Sequence, residues 1–219
     1  MPHRSLSHMT VVLLHGLGRT RRSMARLASR LAASGHRVET LGYPSRRLGL
    51  AACAAHLEPA VAAIRARAGA PIVLVGHSMG GLVARHLAAA NPALAAGLAM
   101  LGTPNRGSEA ADRVSAFRLG RAVFGPALGD LRTDAAGAIP VPACPMAAIA
   151  GTRALIPVFR GRIPRPHDGL VSVESARFGA GERWHAVTAH HTWLMNHPDA
   201  VAAVLDAVAS WLPLDGRAG

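Results

Sequence analysis

A serine in a glycine-rich segment follows the clearest apolar run of the sequence. Residues 71–75 read Pro-Ile-Val-Leu-Val and lead into residues 76–81, which read Gly-His-Ser-Met-Gly-Gly. A Gly-x-Ser-x-Gly pattern between a strand and a helix is typical of a sharp turn that lifts the serine hydroxyl above a sheet, where small neighbours are needed. We therefore predict that Ser78 is a nucleophile.

Nucleophilic chemistry at Ser78 needs partners. A serine hydroxyl attacks well only when a histidine takes its proton, and a carboxylate must hold that histidine in the right tautomer. The chain has 12 His and 12 Asp plus Glu, so composition alone does not identify either partner. The helix predicted to start at Met79 directs its unpaired N–H groups toward the place where negative charge would develop during acyl transfer.

Short apolar strands alternate with amphipathic helices along the chain. Strands that are apolar on both faces belong inside a parallel sheet, and their crossover helices cover its two faces. The pattern thus predicts a three-layer α/β domain with a mainly parallel sheet. Residues 117–142 and 151–166 have no clear period and are predicted to be loops or insertions at one edge. The predicted strands are residues 10–14, 37–41, 71–75, 98–101, 146–150 and 184–187, and helical apolar patterns cover residues 23–33, 49–68, 82–90 and 198–212.

Length and composition exclude several classes of protein. A chain of 219 residues with 50% hydrophobic residues is expected to form a single domain, residues 1–219, with its own core. Its longest apolar runs are far shorter than the roughly 20 residues of a spanning helix. The net charge of +12 comes from arginines scattered along the chain, and only 4% of residues are aromatic. We therefore expect no nucleic acid partner, whereas peripheral contact with an anionic membrane remains compatible with the charge.

We expect a cytoplasmic protein from its N-terminal residues, and free thiols from its two cysteines. Cys53 and Cys144 make no disulfide framework and have no zinc-finger spacing, so we expect two buried free thiols. Residues 1–9 lack the apolar core of a secretory signal. Nothing in the sequence predicts an oligomeric state.

The sequence resembles the α/β-hydrolase family of serine esterases and lipases, in particular its small lipase-like members. The resemblance covers about residues 10–108 and 166–212, and residues 109–144 carry no match. It implies an α/β-hydrolase fold without a large cap domain. It rests on His15-Gly16-Leu17-Gly18, Gly76-His77-Ser78-Met79-Gly80-Gly81, Leu101-Gly102-Thr103-Pro104-Asn105-Arg106-Gly107-Ser108, His167-Asp168-Gly169-Leu170-Val171-Ser172 and His191-Thr192-Trp193-Leu194.

The resemblance implies that the acid and the base follow the serine in that order. Asp168 lies in a segment, Asp-Gly-Leu-Val-Ser, that matches the acid turn of the family and is the favoured acid. Asp130 and Asp134 lie earlier, in the unmatched stretch, and are weaker candidates. His191 is the favoured base because residues 191–194 resemble the histidine turn of the family, with the adjacent His190 as the alternative.

Other histidines receive structural interpretations. His185 is expected to pack within a strand and His197 to lie at the surface or cap the last helix. We expect His77 to pack beside the serine without titrating, and His15 to brace the first loop through hydrogen bonds. Thr103 and Asn105 are expected to organise the loop after the fourth strand.

The resemblance also implies where an oxyanion would be stabilised. The two donors would be the backbone N–H groups of Met79, directly after the nucleophile, and of Leu17 in the first loop.

We therefore predict an enzyme, a carboxylic ester hydrolase that forms an acyl-enzyme on Ser78 and uses no metal or organic cofactor. Residues 109–142 offer room only for a short lid, so we expect an open or thinly covered site that accepts monoesters or acylglycerols. The basic loop around residues 153–165 is expected to be a solvated surface, although it could recruit an acidic head group. Acyl transfer or thioester hydrolysis on the same triad is an alternative, and so is a silent binding protein on this scaffold.

Overall fold

The computed structural model describes residues 8–155, 161–179 and 182–212. Residues 1–9, which were examined for a secretory signal, and the basic loop around residues 153–165 lie partly outside these ranges. The strands are β1 (Thr10–Leu14), β2 (Arg37–Leu41), β3 (Ile72–His77), β4 (Ala95–Leu101), β5 (Met146–Gly151) and β6 (Arg183–Val187). The helices are α1 (Ala25–Ala33), α2 (Leu50–Ala68), α3 (Met79–Ala90), α4 (Glu109–Ser115), α5 (Arg118–Phe124), α6 (Ala127–Asp130), α7 (Val173–Ala176) and α8 (Pro198–Ser210).

The six strands form one sheet in the order β2-β1-β3-β4-β5-β6, and every pair is parallel. The predicted α/β architecture is therefore confirmed. β3 continues to His77, two residues beyond the apolar run, because Gly76 and His77 pair with Met100 and Leu101 of β4. The last residues of β3 therefore lie in the sheet, directly before the serine.

Helices cover both faces of the sheet, as the apolar strands require. On one face, Val11 and Leu13 of β1 belong to a core shared with α1 and α8. On the other face, Val12 and Leu14 of the same strand belong to a core shared with α2 and α3. Neighbouring residues of a strand point to opposite faces, so a continuous apolar run fills two cores at once.

Residues 117–142, predicted to be loops or insertions, contain two short helices that the sequence did not indicate. Residues 118–124 form α5 and residues 127–130 form α6. Neither is long enough to be stable alone, so packing against neighbouring segments stabilises them. The Arg121 Nη1 donates a hydrogen bond of 2.7 Å to the carbonyl oxygen of Ser115, at the end of α4. A period of 3.6 residues cannot be recognised in one or two turns.

The segment between β4 and β5 packs in one core with α2 and contains only short helices, nothing as large as a separate cap domain. Among the residues that the structure describes, no helix is long and apolar enough to cross a membrane.

Asp130 has a structural role. Its Oδ2 accepts a hydrogen bond of 2.7 Å from the backbone N–H of Leu50, the first residue of α2. The N-cap residue itself, Gly49, has no side chain to offer. A carboxylate at a helix N-terminus pairs with an orphan N–H and interacts favourably with the helix dipole.

We expect Asp130→Ala to lower the free energy of unfolding by about 1 kcal/mol, the usual effect of losing a helix cap. Asp130→Asn keeps an acceptor oxygen and is expected to lose less. Urea denaturation followed by circular dichroism measures both variants. Equal stability of Asp130→Ala and the parent protein would contradict this role.

Candidate active site

Ser78 occupies a strained turn between β3 and α3. Its φ of 54° and ψ of −126° make it the one non-glycine residue with a positive φ among those described. Such a conformation is costly for a residue with a side chain and persists only where the surroundings enforce it. The Ser78 N–H donates a hydrogen bond of 2.8 Å to the Leu101 carbonyl, so the turn is tied to the end of β4.

Two glycines make this turn sterically feasible. A β-carbon on Gly76 would lie 2.3 Å from the backbone nitrogen of Gly81, and one on Gly80 would lie 2.4 Å from the carbonyl oxygen of Leu14. Both contacts are with backbone atoms, which cannot move aside. The first turn of α3 therefore packs directly against the ends of β3 and β1.

The structure brings Ser78, His191 and Asp168 together at the carboxyl ends of the strands. His191 Nε2 lies 2.9 Å from Ser78 Oγ, and His191 Nδ1 lies 2.7 Å from Asp168 Oδ2. A carboxylate can only accept, so the histidine carries its proton on Nδ1 and leaves Nε2 free to accept from the serine hydroxyl. This arrangement can move a proton from the serine to the histidine.

The Asp168 carboxylate is held on both oxygens. Its Oδ1 accepts hydrogen bonds from the backbone N–H groups of Leu170 at 3.0 Å and Val171 at 2.8 Å. The His191 N–H also donates to the Asp168 carbonyl at 3.0 Å, so the two loops are joined by backbone as well as side chains. These bonds fix the Asp168 oxygen that faces the imidazole.

The alternative base, His190, points elsewhere. Its Nδ1 accepts a hydrogen bond of 3.2 Å from the Thr192 N–H, and its ring lies 5.5 Å from that of Trp193. Burial lowers the pKa of His190. Of the two adjacent histidines, only His191 lies within hydrogen-bond distance of the serine.

The remaining candidates for acid and base also lie away from Ser78. Asp134 pairs with Arg132 at 2.8 Å on the surface, and Asp130 caps α2. His197 Nδ1 accepts from the Asp199 N–H at the start of α8, at 3.3 Å, and His185 is half-buried on β6.

Of the two backbone donors expected for an oxyanion, Met79 directly follows the serine, and Leu17 lines the same cleft as Ser78. Met79 is the first residue of α3, so its N–H has no acceptor within the helix. Within the described ranges, no hydrogen bond from the Leu17 N–H is found. A β-carbon on Gly16 would lie 3.2 Å from that of Ser78, so the first loop touches the serine.

His15 braces this first loop. Its Nδ1 lies 2.9 Å from the Gly16 carbonyl oxygen, and its Nε2 lies 3.4 Å from the Tyr43 nitrogen. The ring stacks on Tyr43 with centroids 4.3 Å apart, and the Tyr43 hydroxyl donates to the His15 carbonyl. Burial lowers the pKa of His15.

A cleft of about 170 Å³ opens above Ser78. Part of its wall comes from residues 109–144, the segment outside the resemblance described from sequence. This wall is apolar, which suits a hydrocarbon group next to the reacting atoms. Its residues from that segment are Ala110, Ala111, Val114, Phe124, Leu128 and Leu131. The apolar residues at positions 110, 111 and 114 were the one sequence signal for this buried helix face. A helical pattern that spans a single turn is too short to be recognised.

A buried arginine of α3 organises the loop after β4. Arg85 Nη1 donates to the Asn105 carbonyl oxygen at 3.2 Å, and Nη2 donates to the Ile139 carbonyl oxygen at 2.6 Å. Burial lowers the pKa of Arg85 to about 10, so it stays charged at neutral pH. Asn105 Nδ2 in turn donates to the Ala176 carbonyl at 2.8 Å, while the Thr103 side chain packs against Gly81.

No metal or disulfide chemistry is evident in the ranges the structure describes. They contain no group of three or more His, Cys, Asp or Glu side chains that could hold a metal ion. Cys53 is a buried free thiol and Cys144 a half-buried one.

The parallel sheet, the strained serine turn and the order of serine, aspartate and histidine along the chain define an α/β-hydrolase fold. The model of the Alpha/beta hydrolase family matches residues 11–212, and the chain belongs to this family.

Solved structures of similar fold include lipases and esterases. The mature form of the Bacillus licheniformis lipase BlEst2 superposes with a TM-score of 0.76 at 16% identity, over 95% of each chain. The metagenomic carboxyl esterase MGS0156 superposes with a TM-score of 0.77 at 18% identity, over 94% of this chain and 77% of that one. At these identities the likeness concerns the fold.

Curated relatives match a short segment only. A triacylglycerol lipase of Pseudarthrobacter phenanthrenivorans is 56% identical over 41 residues, which are 19% of this chain and 13% of that protein. A triacylglycerol lipase of Burkholderia plantarii shows the same identity over 41 residues and 12% of its length. The chain therefore aligns with only about an eighth of these relatives.

The close packing at the serine turn predicts a large effect of one methyl group. We expect Gly80→Ala to lower the free energy of unfolding by about 3 kcal/mol, because the β-carbon would meet the Leu14 carbonyl. Gly137→Ala is the matched control, since a β-carbon there meets nothing within 4 Å. Chemical denaturation measures both, and equal stabilities of the two variants would refute the proposed steric constraint.

Proposed function

We propose that this protein is a carboxylic ester hydrolase that works through an acyl-enzyme on Ser78. The observation that carries the proposal is the continuous hydrogen-bonded chain Asp168–His191–Ser78, with distances of 2.7 and 2.9 Å, at the floor of an apolar cleft. A silent binding protein would have no need of this relay together with a strained nucleophile turn. The lipase and esterase names of structurally similar proteins agree with the proposal.

In the first half of the reaction, Ser78 Oγ attacks the carbonyl carbon of the ester while His191 Nε2 takes the hydroxyl proton. The carbonyl oxygen becomes an oxyanion, for which the N–H groups of Leu17 and Met79 are the proposed donors. Asp168 stabilises the imidazolium that forms on His191. The imidazolium then gives its proton to the leaving alkoxy oxygen, and the bond between the carbonyl carbon and that oxygen breaks.

In the second half, water attacks the acyl-enzyme. His191 takes a proton from the water as its oxygen bonds to the carbonyl carbon, and returns that proton to Ser78 Oγ as the acyl–oxygen bond breaks. The carboxylic acid leaves and the serine is regenerated. An alcohol in place of water would give transesterification, so added alcohol with product analysis separates hydrolysis from acyl transfer.

The cleft favours an apolar acyl group. Its alanine, valine and leucine side chains offer hydrocarbon no competing polar partners, and it is open to solvent on one side. Monoesters and acylglycerols, whose bulk can remain outside the cleft, fit this description better than a compact polar ester.

We expect Ser78→Ala to abolish hydrolysis of p-nitrophenyl esters while leaving the fold intact. Asp168→Asn and His191→Ala are each expected to lower kcat by about three to four orders of magnitude, because the base loses its orientation or is absent. His190→Ala is the matched control, since its ring lies away from the serine, and should lower kcat far less. Spectrophotometric assays over a chain-length series of esters measure all four variants.

Labelling with a fluorophosphonate, followed by peptide mapping, tests the nucleophile separately. The probe is expected on Ser78 alone and not on the Ser78→Ala variant. An inactive His190→Ala beside an active His191→Ala would overturn the base assignment. Labelling of another serine would overturn the proposal as a whole.

A further inference from the structure

The short helix α5 and the residue directly before it carry most of the exposed large apolar side chains in the described part of the chain. Of the seven such residues in the described part of the chain, four lie on α5 or directly before it. Apolar patches of this kind on a protein surface mark interaction sites more often than chance. These residues and their exposed fractions are Phe117 (64%), Leu119 (75%), Val123 (46%) and Phe124 (37%).

The α5 helix is held firmly in this outward orientation. A β-carbon on Gly120 would lie 2.2 Å from the Val114 carbonyl oxygen, so α5 packs closely on the end of α4. Gly125, with φ of 75°, is in equally close contact with the backbone of Arg46. Side chains on the other face of α5 therefore project into solvent.

The apolar surface is continuous with the cleft above Ser78. A shallow groove along α5 is lined by Phe117, Leu119 and Val123, together with Val114 and Phe124. Val114 and Phe124 also line the cleft. Hydrocarbon could therefore pass from the surface of α5 to the serine over apolar side chains.

Positive charges surround the α5 surface. Arg113, Arg118 and Arg121 are exposed, and no ion pair is found for them within the described residues. The nearby Asp112 carboxylate is engaged by the Thr133 N–H and hydroxyl, at 3.0 and 2.8 Å. Apolar side chains flanked by arginines suit a membrane interface, where the rings and aliphatic groups enter the acyl layer and the cations meet anionic head groups.

We propose that α5 and its flanking arginines dock the protein on an anionic phospholipid surface, with the mouth of the cleft facing the lipid. This inference rests on the proposed function, because docking would bring an ester hydrolase to a lipid layer that supplies its ester substrate. The net charge of +12 adds a general attraction to such a surface. The same charges oppose pairing of two α5 surfaces in a dimer.

The test uses the Ser78→Ala variant, so that binding is measured without hydrolysis. Vesicle sedimentation measures the affinity. Phosphatidylcholine vesicles that contain phosphatidylglycerol are expected to bind the protein at least about tenfold more tightly than pure phosphatidylcholine vesicles, and high salt should reduce this difference. Leu119→Ser should weaken binding about tenfold or more, and Arg118→Gln about fivefold. Val141→Ser and Arg30→Gln are the matched controls, since they alter an exposed valine and an exposed arginine outside α5.

Three outcomes would overturn this inference. They are failure to bind the anionic vesicles, equal binding by the Leu119→Ser and Val141→Ser variants, and self-association in analytical ultracentrifugation that Leu119→Ser abolishes. The last result would assign the surface to a second copy of this chain. Failure of the proposed function would be recognised separately. In that case the parent protein would not cleave soluble p-nitrophenyl esters, whatever its binding to vesicles.

An independent observation concerns His77, directly before the serine. Its ring is buried, and its Nε2 donates a hydrogen bond of 3.0 Å to the carbonyl oxygen of His191. The two rings lie 5.0 Å apart between centroids. Its Nδ1 has no hydrogen-bond partner in the described part of the chain and faces Gly16, where a β-carbon would lie 3.1 Å away.

We infer that His77 is a positioning residue for the reaction: it fixes the main chain of His191 and must remain uncharged beside it. A cation at this position would lie against the imidazolium that forms on His191 and would oppose it. Burial, with the positive charges that His191, His15 and Arg19 can carry, holds the pKa of His77 well below 6.5. This inference rests on the proposed function.

The test compares His77→Leu, which removes the donor, with His77→Gln, which retains a side-chain N–H. We expect His77→Leu to lower kcat for p-nitrophenyl acetate at least about tenfold with KM little changed, and His77→Gln to recover much of that loss. Thermal denaturation controls for stability. Equal kcat values for His77→Leu and the parent, or equal losses in both variants, would overturn the inference, whereas inactivity of the parent would instead refute the proposed function.

Discussion

The whole site depends on the approach of the first turn of α3 to the ends of β1 and β3. Glycine is the one residue that fits at positions 76 and 80, because the space for a β-carbon is taken by backbone atoms of Gly81 and Leu14. This approach forces Ser78 into a conformation that a serine would otherwise avoid. The strain is sustained by the sheet, since Ser78 is also bonded to the end of β4. The hydroxyl is therefore presented by the rigid part of the molecule.

The histidine is positioned by the parts of the chain that pack around it. Asp168 bonds its ring on one side, and His77 bonds its carbonyl oxygen on the other. Neither Asp168 nor His191 is appreciably exposed, so water competes little with their hydrogen bond. The imidazole thus meets the serine in one orientation, with the proton on the nitrogen that faces the carboxylate.

Much of this arrangement could be predicted from sequence, and the exceptions have physical causes. β1 and β2 were predicted with their exact bounds because turn residues after each strand are a local signal, namely Gly16 after β1 and Tyr43-Pro44 after β2. The α5 helix was missed because its seven residues are too few to show a helical period, and its packing against α4 at Gly120 and against Arg46 just after its end is not a local signal. His190 and His191 are adjacent, and the geometry of a short turn decides which ring faces the serine. The sequence does not show that geometry, so His191 was favoured only by resemblance to the family.

The parallel topology has a consequence for how the molecule folds. The hydrogen bond from Ser78 to His191 joins positions that are 113 residues apart, and β4 and β5 lie between the strands that carry them. Parallel strands pair only after a long crossover has closed, so such contacts form slowly and late. A partly folded chain without its last strand has no imidazole beside the serine. Formation of the hydrogen bond between the serine and the histidine is therefore coupled to completion of the sheet.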